Sequence, residues 1–260
     1  MLRFSANLGF LWPDRPLLAR IDAAARAGFR AIEVHWPYDI PAAEFRAACE
    51  RNRLKLLGLN TVLGDVAGGD FGLGAVAGRS RDFQASIDQS IAYCIGSGAK
   101  MIHCMAGVVA PAERAIARKT FLENLEIASA KAEPHGLTLL LEPLNPRDKP
   151  DYFYSKVGEA AEIIAELGRT NIRLMFDVYH VGVAEGDILR KLERHLPVIG
   201  HIQIAAVPSR AEPDEGEIAY GEIFKAIDAL GYQGWIGAEY KPRADTDSGF
   251  TWPARLGVEL

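Results

Sequence analysis

Four oxygen-bearing side chains in the second half of this 260-residue chain stand in or at the ends of apolar runs. Thr138-Leu-Leu-Leu runs into Glu142, Ile172-Arg-Leu-Met-Phe into Asp177, and Trp235-Ile-Gly-Ala into Glu239. Gln203 lies inside His201-Ile-Gln-Ile, where the period of two along a strand turns His201 and Gln203 to one face. Any one of these acids could simply cap a helix or face solvent. Three carboxylates gathered at one place beside a carboxamide would repel one another unless a cation stood among them. So oxygen-rich a set, with no thiolate, suits Mg²⁺ or Mn²⁺ better than structural zinc.

What would gather them is a particular order of elements. Short runs rich in aliphatic residues recur at Phe4–Ala6, Ala31–Val34, Leu54–Leu57, Met101–Cys104, Thr138–Glu142, Ile172–Asp177, Ile199–Ala205 and Trp235–Glu239. Helical stripes lie between them, such as Leu18, Ile21 and Ala25, or Phe121, Leu125, Ala128 and Ala132. Gly28, Gly136, Gly168 and Gly231 stand where such helices should stop. Eight strand–helix units in this length predict an α/β fold, a closed (β/α)₈ TIM barrel occupying residues 1–260 as one domain. A doubly wound open sheet is the rival, but its glycine-rich phosphate loop is missing after the first strand, which continues as Asn7-Leu-Gly-Phe. In a barrel the C-terminal strand ends form the active-site mouth, which is where the four oxygen donors fall. Residues 60–82 contain six glycines and no helical stripe, and so long a connection predicts a lid over that mouth.

Composition narrows the function further. A formal charge of −5 opposes a broad nucleic-acid surface, and no run of the chain has the length and apolarity of a membrane span. Cys49, Cys94 and Cys104 have neither zinc-site nor disulfide spacing, and the N-terminal residues do not read as a signal peptide. These features predict a cytoplasmic protein with no nucleic-acid or membrane partner.

With these residues in view, the chain resembles the hydroxypyruvate isomerase family, within the xylose-isomerase-like barrels. The likeness runs from Arg3-Phe-Ser-Ala-Asn7 through Leu59-Asn-Thr61, Met105-Ala-Gly107, Lys149-Pro-Asp-Tyr-Phe153, Asp177-Val-Tyr-His180 and His201-Ile-Gln-Ile-Ala205. Arg210-Ala-Glu-Pro213 and Gly234-Trp-Ile-Gly-Ala-Glu239-Tyr-Lys-Pro242 complete it. The resemblance implies that Glu142, Asp177, Gln203 and Glu239 hold a divalent metal, and that Glu142 and Glu239 are the acid/base pair. The stretch from Leu144 to Asp148, containing Asn145, is more like members that act on four-carbon 2-oxo acids. The implied reaction interconverts hydroxypyruvate and tartronate semialdehyde, or a 2-oxo-tetronate and its isomer, through an enediolate.

Such a substrate is a small anionic hydroxy-oxo acid and needs a cation. Arg210, Arg147 and Lys241 follow the relevant strands, and Arg210 is the expected carboxylate clamp because a guanidinium binds a carboxylate through paired hydrogen bonds. His180, His201, Asn7 and Asn145 are the other expected substrate-binding residues. A ketose 3-epimerase, a polyol-ketone dehydratase, an apurinic endonuclease and a non-catalytic sugar- or acid-binding barrel are the competing readings. The sequence is compatible with a homodimer.

Overall fold

The computed structural model describes residues 2–260. Nine parallel strands form one sheet: β1 Phe4–Asn7, β2 Ala31–Glu33, β3 Lys55–Leu56, β4 Gly58–Asn60, β5 Met101–His103, β6 Thr138–Leu141, β7 Ile172–Asp177, β8 Ile199–Ile204 and β9 Ile236–Ala238. Their spatial order is β3-β2-β1-β9-β8-β7-β6-β5-β4. Leu57 alone separates β3 from β4, and it joins the two edges. Its N–H donates to the Ile32 carbonyl (2.8 Å), and its carbonyl accepts from Lys100 and Met101 (3.0 Å each). The sheet thus closes into the expected barrel, with helices outside.

The expected third strand, Leu54–Leu57, stops three residues short of Asn60, where pairing ends. Gly58 disguised the continuation. A Cβ there would stand 3.1 Å from both the Met101 carbonyl oxygen and its Cβ, so the close approach of β5 requires a residue that weakens any strand pattern. The helix-stopping glycines behave as expected: Gly28, Gly136, Gly168 and Gly231 all take positive φ, which L side chains resist.

The core lies inside the barrel and between sheet and helices. Phe121, Leu125, Ala128 and Ala132 are all buried on the helix Arg114–Ala132, as their spacing predicts.

The long connection is a correction. Its last residues begin the helix Ser80–Ser97, and its second half is fastened down rather than free. Gly72 bridges to Ala106, Gly74 N donates to Met105 O (3.1 Å), Ala75 N donates to Ala106 O (2.7 Å), and Asn124 Nδ2 holds the Gly74 carbonyl (2.8 Å). The stretch around Asp65–Gly69 stays exposed, as do Ala77 and Gly78 just before the helix.

Candidate active site

Every strand end facing the mouth delivers a polar residue. Asn7 and Glu33 close β1 and β2, and Asn60, His103 and Asp177 close β4, β5 and β7. Gln203 lies near the end of β8, while Glu142 and Glu239 follow β6 and β9 by one residue. Strand register sets Asp177 beside Gln203, and Gln203 beside Gly237 of β9. Glu142, Asp177, Gln203 and Glu239 are all buried. Above them opens a cavity of about 300 Å³, with Glu142, Glu239, His180 and Arg210 among its walls.

Each carboxylate has one oxygen engaged by the scaffold and the other free. Asp177 caps the helix Val178–Ala184: Oδ1 accepts from Tyr179 N at 2.8 Å, while Oδ2 has no partner. Glu239 Oε1 accepts from Asn7 Nδ2 (3.2 Å) and meets His35 Nε2 (2.8 Å), leaving Oε2 with no hydrogen bond and the Arg210 guanidinium 3.6 Å away. Glu142 Oε2 lies 3.4 Å from His103 Nδ1, and its Oε1 is unpartnered, as is Gln203 Oε1. Four buried oxygens without hydrogen bonds are expensive in any fold unless something cationic satisfies them. Helix capping and ligation are therefore not exclusive readings of an acid such as Asp177, because its two oxygens do different things.

Glu142, Asp177 and His180 bring ligand atoms within 4.8 Å of one another, a group able to hold a metal ion. The histidine's hydrogen bonds define its part. Asn145 donates its backbone N–H to His180 Nδ1 (3.0 Å), and a backbone amide can only donate. Burial, aided by the charge of Arg210, holds the ring's pKa down at about 3, so it is neutral. Its single hydrogen is then on Nε2, which lies 3.6 Å from Asp177 Oδ2 and 3.8 Å from Glu142 Oε1. A protonated nitrogen donates and does not ligate. Within this group the oxygens of Glu142 and Asp177 are therefore the better metal donors, and Glu239 does not join it.

The carboxyl pKa values diverge. Burial, then the charges of Glu239 and Asp177, push Glu142 well up, and burial and Glu239 push Asp177 up to about 7. Burial also acts to raise Glu239, but the His35 hydrogen bond and Arg210 outweigh it and hold that group at about 2. A divalent ion among them would draw Glu142 and Asp177 into the carboxylate form.

Arg210 enters the cavity from a turn in which its own φ is +57°, fixed by its N–H to the Ala206 carbonyl and by Lys241 N to its own carbonyl (2.7 Å each). Its guanidinium lies 4.9 Å from the ring centres of both Phe10 and Tyr179. It meets Asp148 at 3.3 Å, Glu239 at 3.6 Å and Asp177 at 4.0 Å. Of the other expected cations, Arg147 lies outside, bonded to Tyr179 Oη and the Pro208 carbonyl, and Lys241 reaches only the outer side of Phe10.

Three expected substrate-binding residues do not line the cavity. Asn7 acts through Glu239, and Asn145 acts through His180, holding Nδ1 with its side-chain amide as well (2.7 Å). His201 shares the inward face of Gln203, but two residues along a strand put it about 6.6 Å deeper. There it is paired with Glu33 at 2.6 Å, beside a second cavity of about 10 Å³. A Cβ on Gly237 would overlap Glu33 Oε1, so that glycine makes room for the pair.

Sequence reasoning assigned no task to His35 or His103, and it passed over Glu33, Asp148 and Lys149 as side chains of the site. His35 follows a strand run and His103 ends β5, which is the signal that could have found them. Gly9 supplies another, since a Cβ there would overlap the His35 ring.

A parallel barrel with buried acids at its C-terminal mouth defines a class, and comparison with known proteins agrees with it. The model of the xylose isomerase-like TIM barrel family matches residues 21–256. The chain is 46% identical over 253 residues to the 2-oxo-tetronate isomerase of Cupriavidus necator, covering 97% of each chain. It is 36% identical to the hydroxypyruvate isomerase of Escherichia coli, over 97% of this chain and 98% of that one. A solved structure described as a family 2 AP endonuclease from Brucella melitensis superposes with a TM-score of 0.95, at 37% identity and 98% coverage of both chains. The 3-keto-D-glucoside 4-epimerase of Escherichia coli (TM-score 0.79, 19% identity, 97% and 98% coverage) shares the fold. The chain belongs to the hydroxypyruvate isomerase family of xylose isomerase-like TIM barrels.

Proposed function

We propose that this protein is a metal-dependent isomerase that moves the carbonyl of a small 2-oxo-3-hydroxy acid to the neighbouring carbon. Hydroxypyruvate and a 2-oxo-tetronate are its candidate substrates. The observation that carries this reading is the set of four unpartnered buried oxygens, two of them on glutamates, under a cavity of about 300 Å³. That volume is at the small end of ligand sites and fits a three- or four-carbon acid. The names of the similar isomerases point to the same substrates.

Glu142, Asp177, Gln203 and Glu239 would hold the ion, Mg²⁺ or Mn²⁺ by their donor chemistry. When bound, it draws charge from the substrate's carbonyl and hydroxyl oxygens and makes the adjoining C–H more acidic. One glutamate then takes that proton and the other gives a proton to the former carbonyl carbon, while the hydroxyl proton passes to the former carbonyl oxygen. His180, with its hydrogen on Nε2, donates to a substrate oxygen in the plane that Asn145 fixes. Arg210 has unused N–H groups at the reacting end, including its buried Nε. Phe10, Trp36, Phe71 and Met105 wall the cavity and keep water from the enediolate. Three buried, unpaired cysteines suit a reducing compartment such as the cytoplasm.

A panel of hydroxypyruvate, 2-oxo-tetronate, several ketoses and an abasic DNA duplex tests the reading, using protein stripped by chelation and then reloaded with Mn²⁺. Isomerisation of an acid, absent after stripping and restored by the ion, is expected. Preference for a neutral ketose, or cleavage of the duplex, would replace this reading with an epimerase or an endonuclease.

A further inference from the structure

One cation in the cavity wall faces no carboxylate. Lys149 lines the cavity, and its Nζ lies 3.6 Å from the centre of the Phe71 ring. Among the described residues its ammonium group makes no ion pair. Arg210, by contrast, already faces Asp148, Asp177 and Glu239.

The charges at the site show why this matters. Glu142, Asp177, Glu239 and Asp148 face one guanidinium; a divalent ion would still leave the group with one negative charge. A substrate carboxylate placed beside Arg210 would add a second negative charge where like charges already crowd. It is better placed against Lys149, whose positive charge no ion pair answers. The main chain of Lys149 is tied to the reacting groups, because its N–H donates to the carbonyl of Asn145 (3.1 Å), and Asn145 also orients His180.

Phe71 belongs to the long connection between β4 and the helix Ser80–Ser97, one residue before the bridge from Gly72 to Ala106. An ammonium group over an aromatic face is held by a weaker attraction than one hydrogen-bonded to a carboxylate. The ring therefore keeps Lys149 over the cavity when it is empty and gives it up when an acid arrives.

We propose that Lys149, rather than Arg210, binds the substrate's carboxylate, which makes it the residue that selects acids over neutral sugars. The inference rests on the isomerase reading above. Its test uses the Mn²⁺-loaded protein, the variants Lys149→Gln and Lys149→Arg, and two measurements. One is steady-state kinetics with hydroxypyruvate; the other is calorimetric binding of tartronate, a hydroxy acid with no carbonyl to move. Lys149→Gln should raise KM and the tartronate Kd about 10- to 100-fold, the range for one hydrogen bond to a charged group. The fall in kcat should be smaller, and Lys149→Arg should recover most of the binding. Unchanged KM and Kd in Lys149→Gln would overturn the proposal. If the wild-type protein turned over no hydroxy-oxo acid but its tartronate binding still depended on Lys149, the isomerase reading would fail and the carboxylate site would stand.

Discussion

Glu142 and Glu239 each commit one carboxylate oxygen to the scaffold and leave the other without a hydrogen bond. Glutamine in either place keeps a ligating oxygen and the shape but cannot take a proton. Glu142→Gln and Glu239→Gln should therefore retain much of the metal affinity while kcat falls by about 10²–10⁴. Their defects should differ in isotope exchange. The variant lacking the proton-abstracting group should lose deuterium washout from the substrate carbon. The variant lacking only the proton donor should exchange without isomerising. Turnover near the wild-type rate in either one, with metal bound, would favour a single shuttling carboxylate. These two glutamates were legible in the sequence because each interrupts an apolar run. Lys149 was not, because a lysine in a loop is ordinary until the packing shows that its ammonium group makes no ion pair.

Among the connecting elements, the segment between β4 and the helix Ser80–Ser97 supplies Phe71 to the cavity wall. Gly72, with φ +105°, lies so close to Met105 that a Cβ would come within 2.7 Å of its carbonyl. Gly72→Ala should break the bridge to Ala106 and release Phe71 from the cavity wall, at a cost of about 1–3 kcal/mol in stability. Limited proteolysis read by mass spectrometry should show faster cleavage near Asp65–Gly69, together with a higher KM. An unchanged digest would mean that the other hydrogen bonds of the segment suffice to hold it. The glycine content of residues 60–82 was visible in the sequence as freedom to bend. In the fold, two of these glycines instead permit close packing, Gly72 against Met105 and Gly74 against Phe121.

For the molecule as a whole, gathering acids in the barrel has a pH-dependent consequence. Asp177, raised from 3.8 to about 7, and Glu142, raised well above 4.5, keep protons in the folded chain that the unfolded chain releases. Each therefore weakens folding as pH rises through its interval. His103 and His180, lowered by burial from 6.5 to about 4 and about 3, act the other way: stability is lost as pH falls below 6.5. The two effects oppose each other below pH 6.5, and only the carboxyl effect continues above it. Metal-stripped protein should thus lose about 1 kcal/mol per pH unit for each retained proton above pH 6.5, or about 2–4 °C in Tm. Saturating Mn²⁺ should abolish the loss, as thermal melts across pH 6.5–8 would read. A flat profile in stripped protein would show that the acids are satisfied without an ion.

By itself the sequence determined the barrel and the identity of its acids. Strand and helix periods are local properties, and an acid ending an apolar run is visible without knowing what lies across the mouth. It did not reveal that β3 continues past Gly58 into β4, because glycine there serves a neighbour 43 residues away in the chain. Tertiary structure alone decided which side chains touch. His201 and Gln203 share one strand face and line the same small cavity, yet the first is paired with Glu33 and the second has an oxygen without a hydrogen bond. Asn7 and Asn145 act through Glu239 and His180, and the charge of Arg210 is answered by acids from three different loops and strands. Periodicity gives the direction in which a side chain points. Its depth and partners depend on strand register and on loops that meet across the barrel.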